Sequence, residues 1–160
     1  MNNAQLTELL SRHPRTRRVF RGVFPRDLLP LRVPQATRCA YVINTDTSHG
    51  PGKHWVAVFF DGLGGADYFD SFGLPPRHVE VEKFIKRNSS SPLRHSSRLI
   101  QSVTSWFCGL YVVYFVAARC RGLSLRSLLV PFKPLRTRLN DRLVLRLLQQ
   151  IYRQSWTTTH

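Results

Sequence analysis

The sequence has few of the features that build metal centres, disulfide frameworks or membrane spans. Its three cysteines, Cys39, Cys108 and Cys120, form no C-x-x-C pair and lack metal-ligand spacing with histidine, which argues against both a metal site and a disulfide-based fold. The longest apolar run has 13 residues, short of the roughly 20 that a membrane-spanning helix needs. No signal-peptide core follows the first residues. We therefore expect an intracellular protein in a reducing compartment, without a membrane segment.

Acidic residues are also scarce. Nine Asp and Glu stand against 24 Lys and Arg, which gives a net charge of +15 in 160 residues. Such a balance favours a polyanion such as DNA as a partner. Arg138, Arg142 and Arg146 recur every four residues in a basic, predicted helical region, 123–154, beside an apolar stripe from Leu135 to Ile151. These arginines are the candidate DNA contacts, and a solvated helix face is the alternative.

The apolar pattern predicts one α+β domain over 1–160. A buried strand is expected at 39–44, a hairpin at 54–60 and 66–72, a helix at 79–86 and a short strand at 98–103. The proline-containing segment 20–34 is expected to be irregular. The 13-residue apolar run opens a helix at Cys108 that is apolar nearly all round, so it should be the central buried helix, packed on a mostly antiparallel sheet.

Cys108 is the candidate nucleophile because it lies where this helix begins. Unpaired N–H groups and a partial positive charge at a helix N-terminus favour a thiolate, which is the reactive form of cysteine. A purely structural core residue is the alternative, as we expect for Cys39 and Cys120.

The hairpin supplies a candidate base and its orienting acid. If its turn centres on Gly62, residues whose numbers sum to 124 face each other, as His54 and Asp70 do. In this register Asp67 has the wrong parity and is the weaker acid candidate. Gln101, seven residues before the cysteine, could donate its side-chain amide to an oxyanion beside the Cys108 N–H. Thiol, base, acid and oxyanion donor are the four parts of cysteine-protease chemistry.

These residues carry a resemblance to a known family. The order His54-Trp55, then 68–73 (YFDSFG), Gln101, and 108–111 (CGLY) is similar to the adenovirus protease (adenain) family, and the likeness runs from about residue 20 to Gly122. The SUMO and ubiquitin-like-protein proteases share this order, with the glutamine usually one residue closer to the cysteine.

The resemblance implies a papain-like α+β cysteine endopeptidase in which Cys108, His54, Asp70 and Gln101 act together. It implies viral precursor proteins as substrates, cleavage at glycine-containing sites, a virion and host-nucleus location, and stimulation by DNA. No metal or other cofactor is needed for the chemistry, and a monomer is expected. Adenain is also activated by a disulfide-linked peptide. Here no cysteine lies between Cys39 and Cys108 to anchor one, and the acid is Asp where adenain has Glu.

Two other functions fit the sequence. One is a basic nucleic-acid-binding virion protein whose cysteine and histidine are structural. The other keeps the thiol chemistry but acts on SUMO or ubiquitin conjugates.

Overall fold

The computed structural model describes residues 1–156, and their side chains through residue 153. One sheet with the order β1-β2-β3-β4-β5 is formed by β1 (Phe20–Pro25), β2 (Cys39–Asn44), β3 (Trp55–Phe60), β4 (Ala66–Phe69) and β5 (Arg94–His95). The helices are α1 (Asn3–Arg12), α2 (Val79–Asn88), α3 (Cys108–Cys120), α4 (Leu125–Leu129) and α5 (Thr137–Trp156). A 3-10 turn, Arg26–Leu28, follows β1.

The sheet is mixed. Strand β3 pairs antiparallel with β2 and β4 at its centre, whereas the outer pairs, β1 with β2 and β4 with β5, are parallel. The predicted α+β class is confirmed, and the antiparallel pairing is limited to the two central ladders.

Helices cover both faces of this sheet. Successive residues of a strand point to opposite faces, so each strand contributes apolar side chains to both helix layers. Ala40, Val42 and Phe59 lie in one cluster with α1, α3 and α5, while Tyr41 and Val58 lie in a second cluster with Val81, Phe84 and Ile85 of α2. Ten of the 13 residues of α3 are buried. The predicted central helix on the sheet is therefore confirmed.

Two predicted segments differ from the structure. The chain at 20–25 is a strand rather than irregular, because a bulge at Gly22 (φ 141°) and the edge position of Pro25 let it pair with β2. The segment 98–103 is not a strand, since the N–H groups of Ile100 and Gln101 both donate to Ser71 O, at 2.9 and 3.2 Å. The last strand lies earlier, at Arg94–His95.

The predicted apolar stripe of α5 is wrong at its N-terminal end. Leu135 precedes the helix and is 92% exposed, and Leu139 is 52% exposed. Asn140 and Asp141 are buried instead, because their side chains hydrogen-bond the segment around Gln101. The apolar face proper consists of Val144, Leu148 and Ile151, with Leu143 and Leu147 at its margin.

Candidate active site

Cys108 is the first residue of α3, as the sequence predicts. The preceding Phe107 offers no side-chain cap for the helix N–H groups, so these amides stay available to other acceptors. The Gly109 N–H donates to the Cys108 thiol. A side chain at Gly109 would meet the Met1 side chain at 3.1 Å, so Met1 packs closely against the start of α3.

The surroundings of Cys108 favour its thiolate. Burial alone would raise the pKa of the thiol, but the hydrogen bond with His54 and the backbone N–H groups of Trp55 and Gly109 outweigh it, so the pKa lies below the ordinary thiol value. Burial raises the pKa of Cys39, and it raises that of Cys120 to about 11. Of the three cysteines, Cys108 alone is electrostatically prepared to react.

His54 lies between this thiol and a carboxylate. Its Nε2 is 2.8 Å from Asp70 Oδ1, and the ring also hydrogen-bonds Cys108. Burial lowers the pKa of His54, but the bonds to Asp70 and to Cys108 dominate and raise it to about 9. Asp70 is in turn held by the Phe72 N–H, which donates to the same oxygen at 2.8 Å. The arrangement favours a thiolate–imidazolium pair next to a fixed carboxylate.

The predicted hairpin register is wrong by two residues. The pairs Ala57–Phe69 and Phe59–Asp67 sum to 126, because the turn centres on Leu63, where Asp61 accepts from the Leu63 N–H. Both residues lie just beyond the paired part of the ladder, His54 before β3 and Asp70 after β4, and their side chains meet there. Asp67 lies within β4 and pairs with Arg94 and with Arg119 of α3 instead of with His54.

Gln101 is fixed by two serines. It is 1% exposed; Ser71 Oγ donates to its Oε1 at 2.6 Å, and its Nε2 donates to Ser105 O at 2.9 Å. One amide hydrogen remains for another acceptor. The hydrogen bonds described for the Cys108 thiol come from His54 and two backbone amides, so the oxyanion role of Gln101 stays a prediction.

Sequence reasoning missed two residues of the site. Phe72 stacks on His54 with ring centroids 4.8 Å apart, and Ser71 orients Gln101. The correct register sum would have indicated Phe72, because 54 and 72 sum to 126. Nothing in the sequence pattern indicated the bond between Ser71 and Gln101, which joins segments 30 residues apart.

The three candidate DNA contacts lie on the outer side of α5. Arg138, Arg142 and Arg146 are all exposed. Asp141, which is the one acidic residue between 119 and 153, is buried and faces inward, so it does not occupy this basic face.

Two clefts flank the start of α1, close to the cysteine. One has a volume of 540 Å³ and is lined by Met1, Gln5, Glu8, Leu9, Trp106, Phe107 and Leu110. The other, also 540 Å³, is lined in part by Met1, Asn44, Pro51 and Trp55. Both therefore adjoin residues that neighbour His54 or Cys108 in the chain.

In the part of the chain that the structure describes, no helix is long and apolar enough to span a membrane, and no cluster of three or more metal-ligating side chains is found.

A thiol at a helix start, next to a histidine and a carboxylate from an adjoining sheet, is the arrangement typical of the papain-like cysteine proteases. The comparisons with known proteins agree. The protease of porcine adenovirus A serotype 3 is 29% identical over 116 residues, 64% of this chain and 56% of that protein. The protease of fowl adenovirus A serotype 1 is 30% identical over 128 residues, 71% of this chain and 61% of that protein.

A second group of relatives comes from African swine fever virus. One cysteine protease is 32% identical over 99 residues, 52% of this chain and 34% of that protein. A crystal structure of a protease from this virus shares 26% identity and a TM-score of 0.47, over 64% of this chain and 42% of that one. No protein-family model matches the chain. The resemblance to adenain-like viral cysteine proteases is confirmed by these relatives, of whose lengths the chain spans between 34% and 61%.

Proposed function

We propose that the chain is a viral-type cysteine endopeptidase that cleaves precursor proteins at glycine-containing sites. The observation that carries this proposal is the continuous contact from Cys108 through His54 to Asp70. Three side chains, one from the start of α3 and two from the ends of the neighbouring strands β3 and β4, meet in the order that thiol proteolysis requires.

In the proposed reaction the Cys108 thiolate attacks the carbonyl carbon of the scissile bond. The His54 imidazolium then gives its proton to the leaving amine, and Asp70 holds the ring in the orientation needed for that transfer. Neutral His54 next removes a proton from water, which attacks the thioester and releases the acid product. Every proton moves through one imidazole, so its hydrogen-bond partners control both half-reactions.

The developing oxyanion needs donors that are already in place. The Cys108 N–H, uncapped at the start of α3, and the remaining amide hydrogen of Gln101 are the proposed pair. Loss of one such donor typically costs about 2.7 to 4 kcal/mol of transition-state stabilisation. We therefore expect Gln101→Ala to slow cleavage about a hundredfold or more.

Cleavage of a fluorogenic peptide ending in Gly-Gly tests the proposal. Cys108→Ala should abolish cleavage while leaving the melting temperature close to that of the wild type. Cys120→Ala is the matched control, since this cysteine lies at the other end of the same helix and its replacement should leave cleavage intact. Undiminished cleavage by Cys108→Ala would overturn the proposal.

A second candidate function is the removal of ubiquitin-like modifiers. One of the African swine fever virus relatives, 33% identical over 99 residues, is named a SUMO-1 cysteine protease. The chemistry would be the same, and only the substrate would differ. Faster cleavage of a SUMO or ubiquitin fusion than of an unconjugated Gly-Gly peptide would favour this function over precursor processing.

The basic face of α5 supports a further part of the proposal, namely that DNA binds there and stimulates cleavage. A virion and host-nucleus location would then give the enzyme access to DNA and to precursor proteins. A nucleic-acid-binding protein without catalysis is the competing function. Salt-sensitive DNA binding, combined with no reaction of Cys108 with a thiol probe, would favour that competitor.

A further inference from the structure

Two polar residues of α5 are buried against the segment that carries Gln101. Asn140 is 1% exposed and Asp141 6% exposed, although both lie on a helix whose other inward positions are apolar. A buried carboxylate is costly unless hydrogen bonds compensate it. The contacts of these two side chains therefore indicate why they face inward.

Asn140 uses its whole amide to join two loops. Its Nδ2 donates to Ile100 O at 3.1 Å and to Lys133 O at 2.9 Å, and its Oδ1 accepts from the Lys133 N–H at 2.9 Å. The Ile100 carbonyl belongs to the peptide bond that leads into Gln101. Asn140 thus fixes the chain on the N-terminal side of the glutamine.

Asp141 fixes the other side. Its Oδ1 accepts from the Ser102 N–H at 3.4 Å and from the Tyr111 hydroxyl at 2.8 Å. That hydroxyl also lies 3.2 Å from Ile100 O, so its single proton can serve either acceptor. Tyr111 is one turn into α3, the helix that begins with Cys108. The network therefore connects the nucleophile's helix with the backbone before and after Gln101.

We propose that Asn140, Asp141 and Tyr111 are positioning residues that hold the Gln101 amide in place for the oxyanion. This inference rests on the proposed protease function. The three residues touch no reacting atom, and they act through the Ile100 and Ser102 backbone. Ser71 bonds both the side chain and the backbone N–H of the glutamine. The α5 residues hold the backbone on either side of it, at Ile100 O and the Ser102 N–H, so the donor is fixed from two directions. Helix α5 is then part of the catalytic apparatus rather than a peripheral basic helix.

The test compares two tyrosines of the same helix. Tyr111→Phe removes a buried hydroxyl from the network, and Tyr114→Phe removes a buried hydroxyl that donates to Leu128 O at 2.8 Å, on α4. Both variants should melt at a lower temperature. Only Tyr111→Phe should lower kcat for a fluorogenic Gly-Gly peptide, by tenfold or more, with KM changed less than twofold.

Alkylation of Cys108 by iodoacetamide separates positioning from general damage to the site. This reaction forms a C–S bond with loss of iodide and develops no oxyanion, so its rate should match the wild-type rate in both tyrosine variants. Asp141→Ala should reproduce the loss of kcat, and Asp141→Asn should recover part of it, because the amide oxygen can still accept from Ser102 and Tyr111.

The outcomes distinguish this inference from the proposed function. Normal wild-type cleavage with equal kcat values for Tyr111→Phe and Tyr114→Phe would overturn the positioning role. A fall in the alkylation rate that parallels the fall in kcat would overturn it as well, since the thiolate itself would then be affected. Wild-type protein that alkylates at Cys108 but cleaves no peptide would contradict the proposed function instead.

Discussion

The ring of Phe72 lies against the ring of His54, with centroids 4.8 Å apart and planes inclined by 24°. An aromatic face attracts a cation, and such a contact contributes about 0.5 to 2 kcal/mol. Phe72 therefore favours the imidazolium form of His54 and also limits rotation of its ring. It is the side chain that the corrected register places opposite the histidine.

Replacement of Phe72 should weaken the base. Phe72→Leu keeps an apolar contact but loses the π face, so we expect a lower pKa of His54 and a moderate loss of kcat, within about tenfold. The pH profile of cleavage measures both effects. An unchanged profile would show that the stacked ring only fills space.

Asp70 should control the alkaline limit of activity. Proton donation by His54 is lost as the pH rises through its pKa of about 9, so cleavage should decline there. Asp70→Asn removes a carboxylate that raises this pKa, and the alkaline limb should move to lower pH while kcat falls. An alkaline limb that stays in place would contradict the assignment of Asp70 as the partner of the base.

Asp67 serves as a control for Asp70, because we expect its role to be structural. It is buried and forms ion pairs with Arg94 (2.5 Å) and Arg119 (2.8 Å), the second at an angle that makes it an ionic contact rather than a hydrogen bond. Asp67→Asn should destabilise the protein by about 3 to 5 kcal/mol, because the largely buried Arg119 loses its carboxylate partner, whereas the half-exposed Arg94 keeps its ion pair with Asp61. Denaturant unfolding measures this loss. At a temperature well below melting, kcat should stay close to the wild-type value, unlike that of Asp70→Asn.

His13 should make stability depend on pH below 6.5. Its ring is buried between α1 and α5, packs against Tyr152, and accepts the Arg15 N–H on Nδ1 at 3.2 Å. Burial is the main cause of its lowered pKa, and the charges of Arg15 and Arg121 act in the same direction, against a backbone hydrogen bond with Ile151 that raises it.

The direction of this pH dependence follows from the pKa of His13 in the folded and in the unfolded chain. The unfolded chain takes up the proton near pH 6.5 and folded His13 takes it up only at lower pH, so His13 contributes stability above pH 6.5 that is lost as the pH falls. His54, with a raised pKa, changes its contribution between 6.5 and about 9, outside this window. Melting temperatures between pH 6.5 and 5 should fall less for His13→Gln than for the wild type. Equal slopes would refute the prediction.

The DNA proposal predicts a change in salt dependence. Replacing Arg138, Arg142 and Arg146 with Gln should weaken DNA binding and reduce the slope of log K against log salt by up to about 0.9 for each phosphate that the protein no longer neutralises. The matched control replaces Lys83, Lys86 and Arg87, which are exposed on α2 and give the same charge change. Equal reductions in both triple variants would mean that net charge alone drives binding.

The sequence predicted which residues meet at the candidate site better than it predicted the strands and helices around them. Hairpin pairing was enough to bring His54 and Asp70 close together, since a register error of two residues still leaves both at the same end of β3 and β4. The same error hid Phe72, because only the true register pairs residues 54 and 72. Strand β1 was missed since Gly22 and Pro25 argue against a strand, and its edge position is a tertiary fact.

The polar inward face of α5 was also beyond sequence reasoning. Leucines at 135 and 139 continue the apolar period, yet Asn140 and Asp141 take the buried positions because their partners, Ile100 and Ser102, lie about 40 residues away in the chain. Periodicity measures apolar burial alone, so it cannot indicate a face that is held by hydrogen bonds.

The most direct test of the proposed chemistry is the site of covalent trapping by a peptide electrophile ending in Gly-Gly vinyl sulfone. Mass mapping of the full chain should find one adduct, at Cys108, and His54→Ala should nearly abolish it, because the thiolate depends on the imidazolium. An adduct at Cys39 or Cys120, or labelling of Cys108 that is unaffected by the removal of His54, would contradict the assignment of Cys108 and His54 as nucleophile and base.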